Sequence, residues 1–299
     1  MLFSPLTAET KRLTLRQILT SGSIARFPGA FTPISTRLIE EQGFEGVYIS
    51  GGVLANELGF PDIGLTALPE VAARAGQIAR ITDLPAIVDA DTGFGEPMNV
   101  ARTIQELENA GLAGCHIEDQ VNPKRCGHLD GKTVVDLHTA TQRIRAAVEA
   151  RRDPNFLIMA RTDIRGVEGL NAAVDRAKVL VDAGADAIFP EAMADLTEFE
   201  ALRAAVDVPI LANMTEFGKS DLFTVDRLQD VGVNMIIYPV TLLRASLGAM
   251  ERTLQTIQRD GTQQASVPHM FTRSRLYDLV DYEGYNDFDS GLFNFEVPA

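Results

Sequence analysis

Five consecutive residues, Lys124-Arg125-Cys126-Gly127-His128, bring together two fixed cations, a thiol, a flexible hinge and an imidazole. A thiol beside Lys, Arg and an imidazolium has its pKa lowered, because positive charge favours the thiolate. A second cluster, Asp89-Ala90-Asp91-Thr92-Gly93, places two carboxylates two positions apart. On an extended strand they would share one face. Paired hard oxygens suit Mg2+ or Mn2+, with water and substrate completing the octahedron. Glu118-Asp119 offers a further carboxylate for the metal or its waters. Each cluster also has a plain alternative: a solvated basic turn with an incidental cysteine, and a helix N-cap followed by a loop aspartate.

The elements that must position these groups follow from periodicity. Gln120, Asn122, Pro123, Gly127, Asp130 and Gly131 exclude a regular element around the cysteine, so it lies on a loop running to about Thr133. Elsewhere short apolar segments alternate with amphipathic ones. Strands are expected at 24–30, 46–50, 86–90, 114–118, 156–160, 185–189, 209–212 and 234–238. Helices are expected at 35–42, 69–81, 98–110, 136–152, 170–183, 195–206 and 241–258, and Gly43, Gly111, Gly184 and Gly232 close several units. Eight strand–helix units predict a parallel sheet closed into a (β/α)8 TIM barrel; an open doubly wound sheet satisfies the same alternation. The whole chain, 1–299, is expected to form one barrel domain with a leading helix at 9–20. After a polar break at 259–266, the tail at 260–299 is aromatic, with Phe271, Tyr277, Tyr282, Tyr285, Phe288, Phe293 and Phe295. It either packs on its own barrel or is exchanged with another subunit.

Under the barrel arrangement, polar residues should converge at the C-terminal ends of the strands. Ser50-Gly51-Gly52 after Tyr48-Ile49 reads as a glycine turn whose N–H groups face an anion. Arg161-Thr162-Asp163, Pro190-Glu191, Asn213-Met214-Thr215 and Tyr238-Pro239, with Arg244 soon after, end the later strands. Singly, each has a structural reading as an ion pair or a turn cap. Together, an acidic pair facing several arginines is what binding a polycarboxylate through a metal requires.

Composition limits the alternatives. A net charge of −14 with no basic block argues against nucleic-acid binding. Two cysteines make no disulfide framework, which suggests a reducing cytoplasm. The first residues are too polar for a signal peptide, and no apolar run is long enough to span a bilayer.

With the loop, the acidic pair and the strand ends in place, the sequence resembles the isocitrate lyase/phosphoenolpyruvate mutase superfamily. Lys124-Arg125-Cys126-Gly127-His128 is similar to its lyase signature, K-[KR]-C-G-H, whereas related enzymes carry other residues at the positions of Leu129-Asp130-Gly131. Within the superfamily it most resembles the branch that cleaves (2S,3R)-2-methylisocitrate to pyruvate and succinate in the methylcitrate cycle of propionate catabolism. Isocitrate lyases are longer and carry a tryptophan near the methyl position, whereas this chain has no Trp. The resemblance implies that Phe189 and Ile237 line the methyl pocket. It implies Mg2+ (or Mn2+) on Asp89, Asp91 and, through water, Glu118, with Cys126 as the proton donor to C3. Tyr48 is the candidate base, directly or through water. Ser50, Gly51, Gly52 and Arg161 are implied for the pyruvate-side carboxylate, and Gly127, His128, Glu191, Asn213, Thr215, Arg244 and Arg273 for the succinate side. It also implies a swapped C-terminal helix and a homotetramer, a dimer of dimers. Other lyases or hydrolases of the superfamily, acting on isocitrate, a dimethylmalate or oxaloacetate, are the alternatives.

Overall fold

Short apolar strands that alternate with amphipathic helices bury both faces only when the helices wrap a parallel sheet. The computed structural model describes residues 3–125, 127 and 131–294, and it has that arrangement. Its strands are β1 (Ala25–Pro28), β2 (Val47–Ile49), β3 (Ala86–Asp89), β4 (Gly114–Glu118), β5 (Leu157–Thr162), β6 (Ala187–Pro190), β7 (Leu211–Asn213) and β8 (Met235–Tyr238). All pair in parallel, in the orders β2-β3-β4-β5-β6 and β1-β8-β7. Parallel bridges from Gly29 to Tyr48 and from Ile188 to Ile210 join the two groups into one ring. That ring sets aside the open sheet.

The helices occupy the expected intervals. Helix α1 (Ala8–Leu19) precedes β1 and α2 (Pro33–Glu41) follows it. Helices α3 (Gly51–Glu57) and α4 (Leu68–Ala79) join β2 to β3, α5 (Pro97–Asn109) joins β3 to β4, and α6 (Leu137–Ala150) joins β4 to β5. Next come α7 (Arg165–Glu168), α8 (Leu170–Asp182), α9 (Leu196–Arg203) and α10 (Val225–Asp230); α11 (Thr241–Asp260) leaves β8. A 3-10 turn (Gln264–His269), α12 (Arg273–Leu279) and α13 (Tyr282–Phe293) form the tail. Two expectations are corrected. The glycine turn at Gly51-Gly52 is the first turn of α3, because Ser50 caps it by accepting from the Val53 amide at 3.4 Å. The polar break begins later than expected, because α11 continues to Asp260 and stops where Gly261 adopts φ 70°.

Side-chain alternation splits the core into two layers. Ala25, Phe27, Tyr48, Ile87, Leu157, Met159, Ala187, Phe189, Leu211, Met235 and Ile237 point into the barrel, where Leu15 and Leu19 of α1 join them. Val47, Ile49, Val88, Cys115, Ile117, Ile158 and Ile188 face the surrounding helices. Asp89, Glu118, Arg161, Glu191 and Asn213 therefore continue the inward set by parity, at the C-terminal ends of their strands. Helix α1 closes the opposite end. Its Lys11 donates to the Ala79 carbonyl at 2.9 Å, and Arg12 donates to the Leu112 and Glu108 carbonyls at 2.9 and 2.8 Å.

The tail behaves differently. On α11 only Leu243 is buried, while Leu247, Met250, Leu254 and Ile257 form an exposed stripe. Phe271, Tyr277, Tyr282, Tyr285, Phe288 and Phe293 are exposed as well. Phe295 lies outside the described residues.

Candidate active site

The inward polar residues surround a cavity of about 220 Å³ at the C-terminal mouth of the barrel. Tyr48, Ser50 and Gly52 line it from the β2 side, and Asp89 and Arg161 from β3 and β5. Phe189, Glu191, Asn213, Thr215 and Arg244 line the remainder, with Lys124 and Gly127 of the cysteine loop. Cys126 and His128 lie outside the described residues.

The acidic pair converges, though not as two positions of an extended strand. β3 ends at Asp89, and Asp91 takes φ 47°, a left-handed conformation uncommon for a non-glycine residue. The turn is held by the Asp91 amide, which donates to Asp89 Oδ1 at 2.9 Å. Both carboxylates then aim at one point: a Cβ on Gly51 would stand 3.1 Å from Asp89 Oδ2 and 3.1 Å from Asp91 Oδ1. Glycine keeps this approach open, and the Gly51 amide, expected to face a ligand anion, donates to Asp89 Oδ2 at 3.3 Å.

Two buried cations meet these acids. Lys124 Nζ lies 2.7 Å from Asp91 Oδ1 and 2.5 Å from Asp62 Oδ1. Arg161 is held by Asp163 at 3.0 Å, Glu191 at 3.2 Å and Glu118 at 3.3 Å. Burial opposes the Arg161 charge, but Asp163, Glu118 and Glu191 more than offset it and hold the guanidinium protonated. Burial would also push Asp89 up, yet His116, Lys124 and Arg161 hold it below the usual carboxylate range. Asp91 is pushed up, first by burial and then, against Lys124, by the charge of Asp89. Glu118 is pushed well up by burial, only partly opposed by Arg161 and Lys124. These acids are held apart from their ordinary titration by one another and by burial.

Do these residues fit a divalent cation? Among the described residues, both Glu118 oxygens are buried without a hydrogen-bond partner, with Arg161 3.3 Å from Oε2, while Asp91 Oδ1 is met by the Lys124 ammonium at 2.7 Å. A buried carboxylate without a donor is costly unless a cation or water completes it. Among the described residues, no three His, Cys, Asp or Glu side chains converge closely enough to hold a metal ion by themselves. Two direct carboxylates plus water is a normal Mg2+ arrangement, so Asp89 and Asp91 fit as ligands and Glu118 fits through water. Asp119 does not belong to this set. It accepts from Thr162 Oγ1 at 2.6 Å, the Asp163 amide at 2.9 Å and Arg176 at 2.9 Å, which makes it a strut between strands.

The succinate-side candidates also meet. Asn213 Nδ2 lies 3.3 Å from Glu191 Oε1, and Arg244 donates to Thr215 Oγ1 at 3.2 Å. Gly127 sits against Glu191: an added Cβ would stand 2.4 Å from its Cγ. Phe189 lines the cavity, whereas Ile237 is packed beneath it in the barrel interior and is not part of the wall. Arg273 is not brought to the mouth by its own chain. It starts α12, whose Arg275 pairs with Glu41 at the end of α2, towards the other end of the barrel.

Sequence reading missed several residues. Asp62 holds Lys124, and Glu216 holds Arg244 at 2.8 Å while lining the cavity with Phe217. His116 Nε2 lies 2.8 Å from the Tyr48 hydroxyl, and its Nδ1 is 3.7 Å from Asp89 Oδ1. Burial pushes His116 down to about 4, so the ring is neutral near pH 7. Its inward parity on β4, between Gly114 and Glu118, was the available signal.

Comparison with known proteins gives the chain its family. Residues 15–258 match the phosphoenolpyruvate phosphomutase family. The chain is 58% identical over 299 residues to a probable 2-methylisocitrate lyase 2 of Corynebacterium glutamicum, covering 100% of this chain and 97% of that protein. An oxaloacetate acetylhydrolase bound to 3,3-difluorooxalacetate superposes with TM-score 0.90 at 32% identity, covering 97% of this chain and 99% of that one. A 2,3-dimethylmalate lyase superposes with TM-score 0.88 at 33% identity, covering 99% of this chain and 100% of that one. With a family model matched over most of its length and a relative 58% identical from end to end, the chain belongs to the isocitrate lyase/phosphoenolpyruvate mutase superfamily, as a relative of 2-methylisocitrate lyase.

Proposed function

We propose that the protein is a carbon–carbon lyase that cleaves (2S,3R)-2-methylisocitrate to pyruvate and succinate, the lyase step of the methylcitrate cycle, in the cytoplasm. The observation that carries this reading is the cavity in which Asp89, Arg161 and Tyr48 face Lys124 and Gly127 of the lyase signature. Similarity along the full length to a probable 2-methylisocitrate lyase supports the choice of substrate.

Mg2+ or Mn2+, when bound to Asp89 and Asp91 and through water to Glu118, would supply the positive charge that acidifies the C2 hydroxyl and anchors its carboxylate. Arg161, with Ser50 and Gly52, binds that same pyruvate-side carboxylate, while the Gly51 amide holds Asp89. Tyr48 takes the hydroxyl proton. Its own hydroxyl is pushed well up by burial, so it serves as a phenol that passes its proton towards His116, not as a free phenolate. The C2–C3 bond then breaks, and its electron pair moves to C3 and the adjacent carboxyl group of the succinate fragment. Cys126 donates the proton that C3 needs, so it starts as the thiol; the reverse condensation starts from the thiolate. Gly127, His128, Glu191, Asn213, Thr215 and Arg244 hold the succinate side. Phe189 walls the position of the C2 methyl.

The exposed apolar stripe of α11 and the aromatic tail support assembly through exchange of the tail, as a dimer of dimers. Arg273 belongs to the succinate side only as a residue delivered by a second copy in that exchange.

A second reading keeps the chemistry and changes the substrate, since the similar structures include proteins named for oxaloacetate and 2,3-dimethylmalate. The test is kcat/KM on 2-methylisocitrate, isocitrate, oxaloacetate and 2,3-dimethylmalate. Pyruvate release from 2-methylisocitrate at least about tenfold faster than isocitrate cleavage supports the assignment, within the range one methyl group contributes. Preference for any of the others replaces it.

A further inference from the structure

Lys132 has no part in the chemistry above, yet it is 8% exposed and its ammonium is committed to two atoms. Nζ donates to the Gly127 carbonyl at 2.5 Å and to Asp163 Oδ1 at 2.7 Å. Asp163 is fully buried, and its Oδ2 accepts from Arg161 Nε at 3.0 Å. Gly127 meets that same arginine: an added Cβ would stand 2.5 Å from Arg161 Nη2. One ammonium therefore ties the backbone of the signature glycine to the carboxylate that orients the guanidinium. The opposite side of the stretch is clamped independently, by Gln120 accepting from the Arg125 amide at 2.9 Å and donating to its carbonyl at 2.8 Å. Burying an ammonium is costly unless it is paired and hydrogen-bonded, and here both partners belong to the groups that frame the cavity.

We propose that Lys132 is a positioning residue that fixes the Gly127 peptide against Arg161 and Glu191, and so sets the succinate side of the site relative to the pyruvate side. Its kinetic consequence rests on the lyase reading; its geometric content does not. Two experiments on the full-length chain test it. In Lys132→Ala, kcat/KM for 2-methylisocitrate falls about 100-fold, the cost of a misplacement near 1 Å, and added ethylammonium restores about a tenth of it. Mg2+ affinity measured by calorimetry stays within about threefold, because Asp89 and Asp91 are untouched.

The second readout needs no turnover. Cys115 is buried in β4 and reports global opening, whereas Cys126 adjoins the peptide that Lys132 holds. Iodoacetamide alkylation, resolved by peptide mass spectrometry, is expected to speed up at Cys126 by at least about fivefold in Lys132→Ala, with Cys115 unchanged. Lys132→Arg should lie between the variant and wild type. Unchanged Cys126 reactivity overturns the proposal, and so does equal acceleration of both cysteines, which would mean a merely structural role. If wild-type protein fails to cleave 2-methylisocitrate, the lyase reading fails and the cysteine comparison alone decides the role of Lys132.

Discussion

The two mouths of the barrel both bury charge, but they complete it differently. At the N-terminal mouth, Lys11 is satisfied by the Ala79 and Thr82 carbonyls, and Arg12 by two carbonyls and Asp153 at 2.8 Å. At the C-terminal mouth, among the described residues, Asp91 Oδ1 meets the Lys124 ammonium at 2.7 Å and Glu118 meets Arg161 at 3.3 Å without a hydrogen-bond partner, and burial pushes both acids up. The first arrangement is finished by the chain; on the proposed reading the second is finished by the metal and substrate. The proposed function thus puts catalysis at the end of the strands opposite to the charge network that braces the fold.

Substitutions at the two ends should separate these roles. Asp89→Asn should lower kcat/KM by about 1,000-fold or more, because it removes a carboxylate from the cation pair. Its melting temperature without metal should fall by only a few degrees, since losing the attraction of Lys124 and Arg161 is partly offset by relief of repulsion with Asp91. Arg12→Ala should do the reverse, losing about 3 kcal/mol by stranding Asp153 and two carbonyls while kcat/KM of the folded fraction changes little. Urea titration read beside activity checks both. Equal effects on stability and turnover in both variants would erase the distinction between the mouths.

Metal removal sharpens it further. Mg2+ at 100 times its dissociation constant should stabilise wild type and Arg12→Ala by about 2.7 kcal/mol, and Asp89→Asn by much less. Thermal melts with Mg2+ and with EDTA measure this. A smaller effect concerns the tail: Met250→Glu with Leu254→Glu, on the exposed stripe of α11, should reduce the assembled species in sedimentation. Melting of the barrel should move by only a few degrees, since these side chains touch little of its core.

Why were some of these parts legible in the sequence and others not? The eight strands were, because each is a short apolar run between amphipathic stretches, several of them closed by a glycine, and all eight occur near their expected positions. The inward acids and arginines were legible because strand parity places them together. Asp91 was placed correctly for the wrong reason, since its φ of 47° is a property of a turn that D-x-D spacing does not report. Helix α3 was hidden because Gly51-Gly52 is a poor helix start by propensity, and tertiary contact with Asp89 overrides that. Lys132, Asp62 and Glu216 act through partners 31, 62 and 28 residues away. No local pattern encodes such distances. Arg273 lies away from its own chain's mouth, and spacing along a chain does not tell where a tail residue is delivered.

The most direct test of a metal-completed mouth is pyruvate release from 2-methylisocitrate by the wild-type protein, followed with saturating Mg2+, then with EDTA, then with Mg2+ restored. Release is expected with Mg2+, with loss of nearly all of it in EDTA and full recovery on readdition. Release that continues unchanged in EDTA would contradict this, because the C-terminal mouth would then be completed by the chain alone, as the other mouth is.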